Sequence, residues 1–589
     1  MAINILTVYP GHNATAALLR DGKVLGIISE ERFTRVKNQG GFPKESIKWL
    51  LREFNVKPSE LDSVAVCGSQ LVMSSYDIID SKSKRRMVDA LSGIYGRIEY
   101  EAGRFYRPIY KAKAMLVDRQ VDRRLNMGIR EMLTSLLKVP EEKIEFVEHH
   151  TCHAYSAYFG QTEKHEKALV LTLDGEGDDI CATVSVAQGN SLRRIAKTNK
   201  HHSIGYVYSL TTSFMGMTPL EHEYKVMGLA PYAATKEQKY FMKTYDKVFK
   251  DVVFLDRKNP LVFKSRFPTN RFLYWLKEKA VGERFDNLAG ALQHFTEELV
   301  SKWVVAAVKK TGCSTVYCGG GVFMNVKMNM LLAQLPQVKM LNVFPSCGDE
   351  SNPIGAGYYS YLRICNERKI EPNTMRVKDL YLGPDLDREA EEYVRKKNLS
   401  KKYIVRKAEP KLVAGLLANG EVIARSAGRM EWGARSLGNR CIMANPSDLK
   451  YVWQINEQIK MRDFWMPFAP SILPEREKDY IRNPKHIPAP YMIMAFDSTP
   501  LGVKELRAAM HQADFTLRPQ VVYHEWNQRY YDIIKEFEKL TGIGGVLNTS
   551  FNLHGKPIVM TPKDAVEEVF EHSGLKHLII GDFLISKKE

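Results

Sequence analysis

A basic, glycine-rich stretch in the last third of the chain has the composition of a binding site for several negative charges. It covers residues 428–440 and is followed closely by residues 459–462, and the two segments together contain five cationic side chains and three glycines. Arginine binds phosphate oxygens through two parallel hydrogen bonds, lysine adds a compact charge, and glycine lets backbone N–H groups approach a ligand closely. Residues 421–425 predict a buried strand, so the cations follow the carboxyl end of a strand, where open α/β sheets bind ligands. We therefore predict a site for a nucleotide or an acyl phosphate, with a solvated charged surface as the alternative.

Three histidines within five residues, His149, His150 and His153, form a second candidate site. On the helix predicted here, His149 and His153 share a face at i,i+4, and His150 and His153 do so at i,i+3, so spacing alone leaves both pairs open. A carboxylate from elsewhere must complete the set, and a tight turn containing Asp349 and Glu350 supplies candidates. Two imidazoles and one carboxylate suit Fe(II), Mn(II) or Zn(II). The alternative is that the histidines only cap or pack the helix.

Strands joined by glycine turns are predicted to position these groups. Residues 3–29 predict three strands in antiparallel order, with Asp21-Gly22 as a strong hairpin signal. Residues 168–187 repeat the order of strand, acidic glycine turn and strand, as a duplicated fold requires. A third glycine turn, at residues 318–321, follows an apolar strand and precedes a segment of helical spacing, which suits the adenosine end of a nucleotide. Together the turns indicate a duplicated α/β domain of the actin-like, nucleotide-binding type.

The length of 589 residues exceeds what one hydrophobic core supports and predicts two or more domains. Residues 76–138 have helical spacing and many charges, and we interpret them as a helical insertion with a solvated surface. Residues 366–379 begin with a polar stretch without periodicity and predict a linker. We therefore expect a first domain over residues 1–365 and a second over residues 380–589.

Composition restricts the classes of partner. The formal charge of +17 fits anionic partners, but no helix-turn-helix, zinc-finger or RNP signature accompanies it, so nucleic acid ranks behind small phosphorylated molecules. No apolar run reaches the roughly 18 residues that span a bilayer, and the N-terminus lacks the basic region of a signal peptide, so we expect a cytoplasmic protein without membrane contact. The eight cysteines include no Cys-x-x-Cys pair and are expected to be reduced and mostly buried. The oligomeric state stays open, with a homodimer among the alternatives.

Taken in their order along the chain, the motifs resemble those of the O-carbamoyltransferase family of nodulation and antibiotic-tailoring enzymes. The likeness covers nearly the whole chain. The N-terminal part resembles that family's Kae1-like domain, which has the actin/Hsp70-type (ASKHA) fold, in the motifs at residues 11–12, 30–35, 42–43, 149–153, 174–177, 223–230, 319–325 and 348–349. The C-terminal part resembles its YrdC-like domain in the motifs at residues 428–431, 435–440, 460–462, 467–470, 518–520 and 548–552. The resemblance implies an α/β protein with a duplicated Kae1-like domain followed by a YrdC-like α/β domain.

The resemblance also implies two chemical steps. In the family, the YrdC-like domain joins carbamoyl phosphate to ATP, used as its magnesium complex, and gives carbamoyl adenylate. The Kae1-like domain then transfers the carbamoyl group to a hydroxyl of a small-molecule natural product or sugar. Catalysis in the second domain is implied for Arg435, Arg440 and Lys460, which would neutralise the charge that develops at phosphorus. Further contacts to the phosphates and the carbamoyl group are implied for Arg462, Arg518, Asn548 and Ser550.

For the first domain, the resemblance implies a metal, a base and contacts to the nucleotide. The metal, expected to be Fe(II) with Mn(II) or Zn(II) as alternatives, would be held by His149, His153 and Asp349 and would polarise the carbonyl of the adenylate. His12, beside the first glycine turn, is implied as the base toward the acceptor hydroxyl. Contacts to the nucleotide or the substrate are implied for Asp174, Gly175, Gly177, Lys225, Gly319, Gly320, Gly321 and Asn325.

Three positions depart from the family's usual pattern. Asn13 stands where an aspartate usually follows His12, which removes a carboxylate near the predicted base. Met466 stands before the Pro-Phe-Ala-Pro motif where an arginine is typical, which removes one phosphate contact. Residues 433–436 are Gly-Ala-Arg-Ser where Gly-Pro-Arg-Ala is usual, which loosens the turn without moving the cation. With these three departures, the resemblance still implies the same reaction class, but the acceptor and the rate of adenylation are left open.

Two other functions remain as alternatives. A tRNA threonylcarbamoyl-type transferase shares both domain types and would explain the positive charge, but its two domains are typically separate proteins. A non-catalytic nucleotide-binding sensor would bind ATP without making pyrophosphate. Hydrogenase-maturation carbamoyltransferases carry zinc-finger cysteine pairs, which this sequence does not contain. The acceptor stays open among sugars, nucleosides, polyketides and oligosaccharides, because the shape of a pocket rather than the reaction chemistry selects among them.

Overall fold

A computed structural model of the chain describes residues 2–69, 119–162, 166–235 and 238–588. Its strands are β1 (Asn4–Tyr9), β2 (Thr15–Arg20), β3 (Lys23–Ser29), β4 (Leu61–Cys67), β5 (Ile144–Val147), β6 (Ala168–Gly177), β7 (Ile180–Gln188), β8 (Ser191–Asn199), β9 (Val253–Leu255), β10 (Phe263–Ser265), β11 (Thr315–Gly319), β12 (Met340–Val343), β13 (Tyr403–Lys407), β14 (Ile423–Ser426), β15 (Arg440–Ala444), β16 (Ala469–Ile472), β17 (Phe496–Asp497), β18 (Thr516–Leu517), β19 (Gln520–Val521), β20 (Gly545–Ser550), β21 (His577–Ile580) and β22 (Phe583–Lys587).

The α-helices of the described residues are α1 (Glu31–Thr34), α2 (Lys44–Glu53), α3 (Arg119–Leu137), α4 (His149–Phe159), α5 (Ile204–Phe214), α6 (Glu223–Leu229), α7 (Met242–Thr244), α8 (Phe272–Lys279), α9 (Phe285–Thr311), α10 (Val326–Gln334), α11 (Asn352–Arg368), α12 (Asp387–Lys396), α13 (Pro410–Ala418), α14 (Lys450–Ile455), α15 (Glu477–Tyr480), α16 (Pro500–Glu505) and α17 (Gln528–Thr541). Helix α3 covers the last part of the predicted helical insertion, and residues 76–118 of that prediction lie outside the described residues.

The chain divides into two compact units of mixed α/β structure. The first consists of Met1–Glu30 and Asn38–Val377, and the second consists of Glu31–Lys37 and Lys378–Glu589. The predicted linker and domain limits around residues 366–379 stay a prediction. The segment Glu31–Lys37 belongs to the second unit although it lies in the first part of the sequence.

Two five-stranded sheets form the frame of the first unit. Their orders are β3-β2-β1-β4-β5 and β8-β7-β6-β11-β12. In each sheet three successive strands pair antiparallel and the remaining two strands add in parallel. The predicted hairpin is confirmed, because Asp21 and Gly22 join β2 to β3 with φ angles of 49° and 76°. Positive φ at both central residues is the mark of a two-residue hairpin whose twist matches that of its strands.

Helices α4 and α11 pack against each other beside these sheets. A Cβ on Gly355 of α11 would lie 1.7 Å from the carbonyl oxygen of Cys152 on α4, so only glycine allows this approach. Helix α11 begins directly after the turn that contains Asp349. The close packing therefore brings that carboxylate next to the first turns of the histidine helix.

An eight-stranded sheet, in the order β13-β22-β21-β14-β15-β20-β16-β19, forms the frame of the second unit. Successive residues of its central strands enter different hydrophobic clusters: Ala424 and Ile442 belong to one, and Ile423 and Met443 belong to the other. Side chains alternate between the faces of a strand, so this sheet is buried on both faces. Full burial of each larger side chain among these, such as Ile423, Ile442 or Met443, contributes about 1.5–3 kcal/mol.

Two general properties follow from the described residues. None of their helices combines the length and the apolar character needed to cross a bilayer. All eight cysteines are buried and free, and the prediction that they are mostly buried is confirmed.

Candidate functional site

The histidine helix α4 is fixed at its N-terminus by two carboxylates. Glu148 caps the helix, because its side chain accepts hydrogen bonds from the N–H and the hydroxyl of Thr151 at 2.7 and 2.6 Å. Arg194 donates to the same carboxylate at 2.6 Å. Burial opposes ionisation of Glu148, but Arg194 outweighs it and lowers the pKa to about 2. The backbone N–H of His149 donates to the carboxylate of Asp178 at 2.7 Å, which fixes the first residue of the helix.

Two imidazoles and two carboxylates converge on one point in the first unit. The Nε2 atom of His153 lies 2.9 Å from Asp174 Oδ2 and 3.2 Å from Asp349 Oδ1, and the Nε2 atom of His149 lies 3.3 and 3.4 Å from the same two oxygens. The two Nε2 atoms are 3.1 Å apart, and the four candidate ligand atoms all lie within 4.8 Å of one another. Both imidazoles are buried. This donor set fits a divalent metal ion of the Fe(II), Mn(II) or Zn(II) class.

His150 is directed away from this cluster. Its Nδ1 atom lies 2.7 Å from the hydroxyl of Thr172, and its Nε2 atom lies 3.0 Å from the carbonyl oxygen of Ile180. Burial lowers the pKa of His150 to about 3, so its imidazole is neutral at physiological pH. Of the two pairs that spacing left open, the structure brings together the i,i+4 pair.

Two of the glycines predicted to contact the nucleotide lie against the histidine helix. A Cβ on Gly177 would be 2.1 Å from the ring of His149, and a Cβ on Gly319 would be 2.7 Å from the carbonyl oxygen of His153. Any side chain at either position would push the helix away from the two carboxylates. These glycines are therefore required by the cluster, and their contact with a nucleotide stays a prediction.

The other predicted glycines line the same turns. Gly320 has a φ angle of 102°, and a Cβ there would be 2.4 Å from the carbonyl oxygen of Leu173, so the turn needs glycine. A Cβ on Gly321 would lie 3.1 Å from the carboxylate of Asp174. Among the described residues none would meet a Cβ on Gly175 within 4 Å, which leaves space beside Asp174 for a ligand.

The carboxylates compensate for the burial of the imidazoles. Burial lowers the pKa of His149, but Asp349 and Asp174 outweigh it and raise the pKa to about 10. Burial likewise lowers the pKa of His153, and its hydrogen bonds with both aspartates raise it above the ordinary value. Burial opposes ionisation of Asp174, but the two histidines hold its pKa well below the usual range. Because a metal ion needs neutral imidazoles, it competes with protons for the same nitrogen atoms.

Tyr9 and His12 border the cluster at the end of the first strand. The hydroxyl of Tyr9 donates to Asp349 Oδ2 at 2.5 Å and lies 3.4 Å from His12 Nδ1. The Nε2 atom of His12 is 3.6 Å from Asp349 Oδ2, and the side chain is 26% exposed. Asn13 follows with a φ angle of 57°, a conformation that asparagine tolerates better than most residues. His12 is therefore both next to the cluster and open to solvent.

Of the predicted binding residues of the first unit, Asn325 lies at the start of a helix and Lys225 lies within another helix. The Asn325 side chain caps α10 by accepting from the N–H of Met328 at 3.0 Å. It also forms a reciprocal amide pair with Gln293, at 2.8 and 3.0 Å. Lys225 lies in α6, which packs against α9. For both residues, a contact with substrate stays a prediction.

In the second unit, Lys460 is a buried cation among polar oxygens. It is 2% exposed, and its Nζ donates to Asn552 Oδ1 at 2.6 Å, to the carbonyl oxygen of Asn552 at 3.1 Å and to the hydroxyl of Ser550 at 3.2 Å. Its pKa is well below the usual range, first because of burial and then because of the charges of Arg462 and Lys37. An anion bound beside Lys460 would relieve both effects.

The positive charges of Arg435 and Arg462 act on the guanidinium group of Arg518. Burial lowers its pKa well below the usual range, and the charges of Arg435 and Arg462 lower it further. The structure thus gathers four residues that the sequence singled out, Lys460 among them, into one electropositive group. Met466, where the family typically has arginine, is buried.

The turn that carries Arg435 is shaped by a buried carboxylate. Glu431 is 1% exposed, and its Oε1 accepts from the N–H groups of Leu437, Asn439 and Arg440 at 2.8, 3.2 and 3.1 Å. A carboxylate that accepts several N–H bonds fixes the local backbone. The sequence marked Glu431 only as part of a motif, and its shaping role becomes visible only in the folded turn.

Arg440 and Asn548 lie beneath the same turn. Arg440 is 1% exposed and donates from Nη1 to the carbonyl oxygens of Gly428 and Asn439, both at 3.0 Å. Burial lowers its pKa. The amide of Asn548 donates to the carbonyl oxygen of Ser436 at 3.2 Å. Both side chains support the turn, and their predicted contact with substrate stays a prediction.

Comparison with known proteins matches the chain to two family models. The model described as carbamoyltransferase N-terminus matches residues 4–358, and the model described as carbamoyltransferase C-terminus matches residues 414–587. The cluster of histidines and aspartates lies within the first matched range, and the cation group around Lys460 lies within the second.

Individual relatives cover nearly the whole chain. The protein is 30% identical to the uncharacterized protein sll1178 of Synechocystis sp., over 98% of this chain and 95% of that protein. It is 28% identical to the nodulation protein NolNO of Sinorhizobium fredii, over 98% of this chain and 79% of that protein. Among solved structures, HypF in its phosphate- and nucleotide-bound form gives a TM-score of 0.32 at 12% identity, over 63% of this chain and 47% of that one, which is too low to define a shared fold. Because the family models match most of its length, the chain belongs to the carbamoyltransferase family, as its motifs predicted, and is a transferase enzyme.

Proposed function

We propose that the chain is an ATP-dependent O-carbamoyltransferase with one reaction site in each unit. The group of Arg435, Lys460, Arg462 and Arg518 carries this proposal, since burial and mutual repulsion lower the pKa of two of its members. Such a group is stabilised by a ligand with several negative charges, and ATP with carbamoyl phosphate supplies them. Its location within the carbamoyltransferase C-terminus match supports adenylation as the reaction of this unit.

In the second unit, carbamoyl phosphate, Mg-ATP and water would give carbamoyl adenylate, inorganic phosphate and pyrophosphate. Water would add to the phosphorus of carbamoyl phosphate, and the bond from that phosphorus to the carbamoyl oxygen would break, which gives carbamate and inorganic phosphate. A carbamate oxygen would then form a bond to the α-phosphorus of ATP, and the bond between the α-phosphorus and the oxygen bridging to the β-phosphate would break. Arg435, Arg462 and Arg518 are suited to neutralise the charge on the departing pyrophosphate. An anion bound beside Lys460 would counteract the lowering of its pKa and so favour its ammonium form.

In the first unit, a hydroxyl of the acceptor would attack the carbamoyl carbon of the adenylate. A carbon–oxygen bond to the acceptor forms, and the bond from the carbamoyl carbon to the AMP oxygen breaks. His12 would accept the hydroxyl proton, and its partial exposure and its position beside the cluster support this role. His149, His153, Asp174 and Asp349 would hold the metal ion, with Fe(II) expected and Mn(II) or Zn(II) as alternatives. When bound, such an ion supplies Lewis acidity toward the carbonyl oxygen.

The shared topology of the two sheets in the first unit supports a duplicated, Kae1-like domain. Each sheet has three antiparallel strands extended by two parallel ones, in the same order. Repetition of one strand order within a chain is the mark of a duplicated unit. The acceptor is proposed to be a hydroxyl of a small-molecule natural product or sugar.

Mass spectrometry of the reaction mixture tests this function. Purified protein with Mg-ATP and isotopically labelled carbamoyl phosphate should give labelled carbamoyl adenylate, and omission of either substrate should remove it. Threonine and bicarbonate in place of carbamoyl phosphate test the tRNA-directed alternative, because that enzyme class would form threonylcarbamoyl adenylate. Binding of ATP without any adenylate product would indicate the sensor.

A further inference from the structure

A short segment from the N-terminal part of the sequence is built into the second unit. The segment Glu31–Lys37 belongs to that unit, and Glu31 and Arg32 are buried. Arg32 pairs with Glu31 at 3.0 Å and donates from Nη2 to the carbonyl oxygen of Gly433 at 3.1 Å. Gly433 lies two residues before Arg435 and has a φ angle of 102°. Arg32 therefore holds the turn that carries Arg435.

Arg35, at the other end of the segment, holds a second loop. It donates from Nη1 to the carbonyl oxygen of Ile558 at 2.7 Å and from Nη2 to that of Pro557 at 3.0 Å. It also forms a bidentate pair with Glu568, at 3.0 and 3.1 Å. This use of the planar donor fork cannot be reproduced by lysine, which has a single charged nitrogen.

The second loop leads back to Lys460. The amide of Asn552 donates to the carbonyl oxygen of Lys556 at 2.7 Å and so folds the loop onto itself. The oxygen of the same amide accepts from Lys460 Nζ at 2.6 Å. A shift of residues 557–558 would therefore reach the polar partner of Lys460. Lys37, which ends the segment, is close enough to Lys460 for its charge to act on that amine.

We infer that Arg32 and Arg35 are positioning residues of the carbamoyl adenylation site, in which one segment ties the turn of Arg435 to the loop that holds Lys460. The inference rests on the proposed function of the second unit. Both arginines donate hydrogen bonds to backbone carbonyls, and Arg35 also donates to the carboxylate of Glu568, so through these contacts they position other residues. Carbamoyl transfer from ready-made carbamoyl adenylate to an acceptor therefore does not depend on them.

Steady-state kinetics of pyrophosphate formation in the full-length protein test this role. Arg35→Ala and Arg32→Ala should each lower kcat/KM about 100-fold, as small misplacements of catalytic groups do, and Arg35→Lys should restore only part of the loss. Added guanidinium should partly restore Arg35→Ala, a rescue that a general folding defect would not show. Val36→Ala is the matched control, because Val36 lies in the same segment, is 55% exposed, and should leave the rate unchanged.

Calorimetric binding of inorganic pyrophosphate separates this inference from the proposed function, because it needs no turnover. Arg32→Ala and Arg35→Ala should weaken pyrophosphate binding about tenfold while Val36→Ala binds like the wild type. Unchanged pyrophosphate binding in both arginine variants would overturn the inference even if the wild type makes no carbamoyl adenylate. An equal loss of transfer from supplied carbamoyl adenylate would also overturn it, because the defect would then extend to the first unit.

Discussion

Metal affinity of the cluster in the first unit should rise steeply with pH. Asp349 and Asp174 outweigh burial and raise the pKa of His149 to about 10 in the metal-free protein, so this imidazole is protonated at neutral pH. A metal ion must expel that proton, and below the pKa the neutral fraction grows tenfold for each pH unit, or about 1.4 kcal/mol of binding free energy. From about pH 6.5 to about pH 8.5 the apparent affinity should therefore increase at least ~100-fold. His153 adds to the slope while it is protonated, whereas Asp174 adds none because it is already ionised.

The assay is a titration of metal-free protein with Mn(II), in which electron paramagnetic resonance measures the free ion at several pH values. Calorimetry in buffers of different ionisation enthalpy counts the protons released, and we expect about one or more per ion at neutral pH. His149→Gln should bind more weakly and with a smaller slope. His524→Gln, at an exposed histidine of the second unit, should leave the slope unchanged. An affinity that does not vary with pH, with no proton released, would refute the reasoning.

Three further predictions concern the two sites and the packing that supports them. Lys460→Ala should abolish carbamoyl adenylate formation and leave Mn(II) binding intact, whereas His149→Ala should spare adenylate formation and stop transfer. Equal loss of both half-reactions in both variants would mean that the sites are not separate. Gly355→Ala should lower the free energy of unfolding by at least about 1–3 kcal/mol, because the added methyl overlaps a backbone carbonyl of the facing helix. Gly415→Ala should instead raise the free energy of unfolding by about 1 kcal/mol, because no described residue meets the added methyl there. Thermal unfolding that gives the opposite signs would contradict this packing. The ionised Glu148 carboxylate contributes stability at pH values above its ordinary pKa of 4.5, and this contribution is lost as the pH falls toward about 2. Between these pH values the wild-type protein should therefore lose stability relative to Glu148→Gln. A difference in denaturant unfolding that does not depend on pH would argue against the ion pair at the cap.

Local signals in the sequence predicted much of the β framework. The three strands within residues 3–29, the hairpin at Asp21 and Gly22 and the helix His149–Phe159 all lie where hydrophobic pattern and turn chemistry placed them. These signals succeed because they depend on neighbouring residues. The segment Glu31–Lys37 was not predicted to join the second unit, because its membership depends on contacts with residues several hundred positions later in the chain.

The candidate sites, too, were predicted where neighbouring residues determine them and missed where distant contacts do. Helical spacing alone allowed His149 and His153 to share one ion, but which carboxylates reach them depends on how distant turns pack against the helix. For Asp174, contact with the nucleotide or the substrate stays a prediction, and its membership of the cluster, which the structure shows, was not predicted. Tyr9, whose hydroxyl is hydrogen-bonded to Asp349, was not predicted as a site residue. Its place at the end of the first strand, just before the glycine turn, is a usable signal.

Pyrophosphate release tests the central claim of carbamoyl adenylation most directly. Purified protein would be given Mg-ATP and carbamoyl phosphate without an acceptor, with each substrate omitted in turn. We predict release only when both substrates are present, its loss in Lys460→Ala and its retention in His149→Ala. No release from a protein that binds ATP measurably and carries its metal would contradict carbamoyl adenylation and would favour a nucleotide-binding sensor or a different acyl donor.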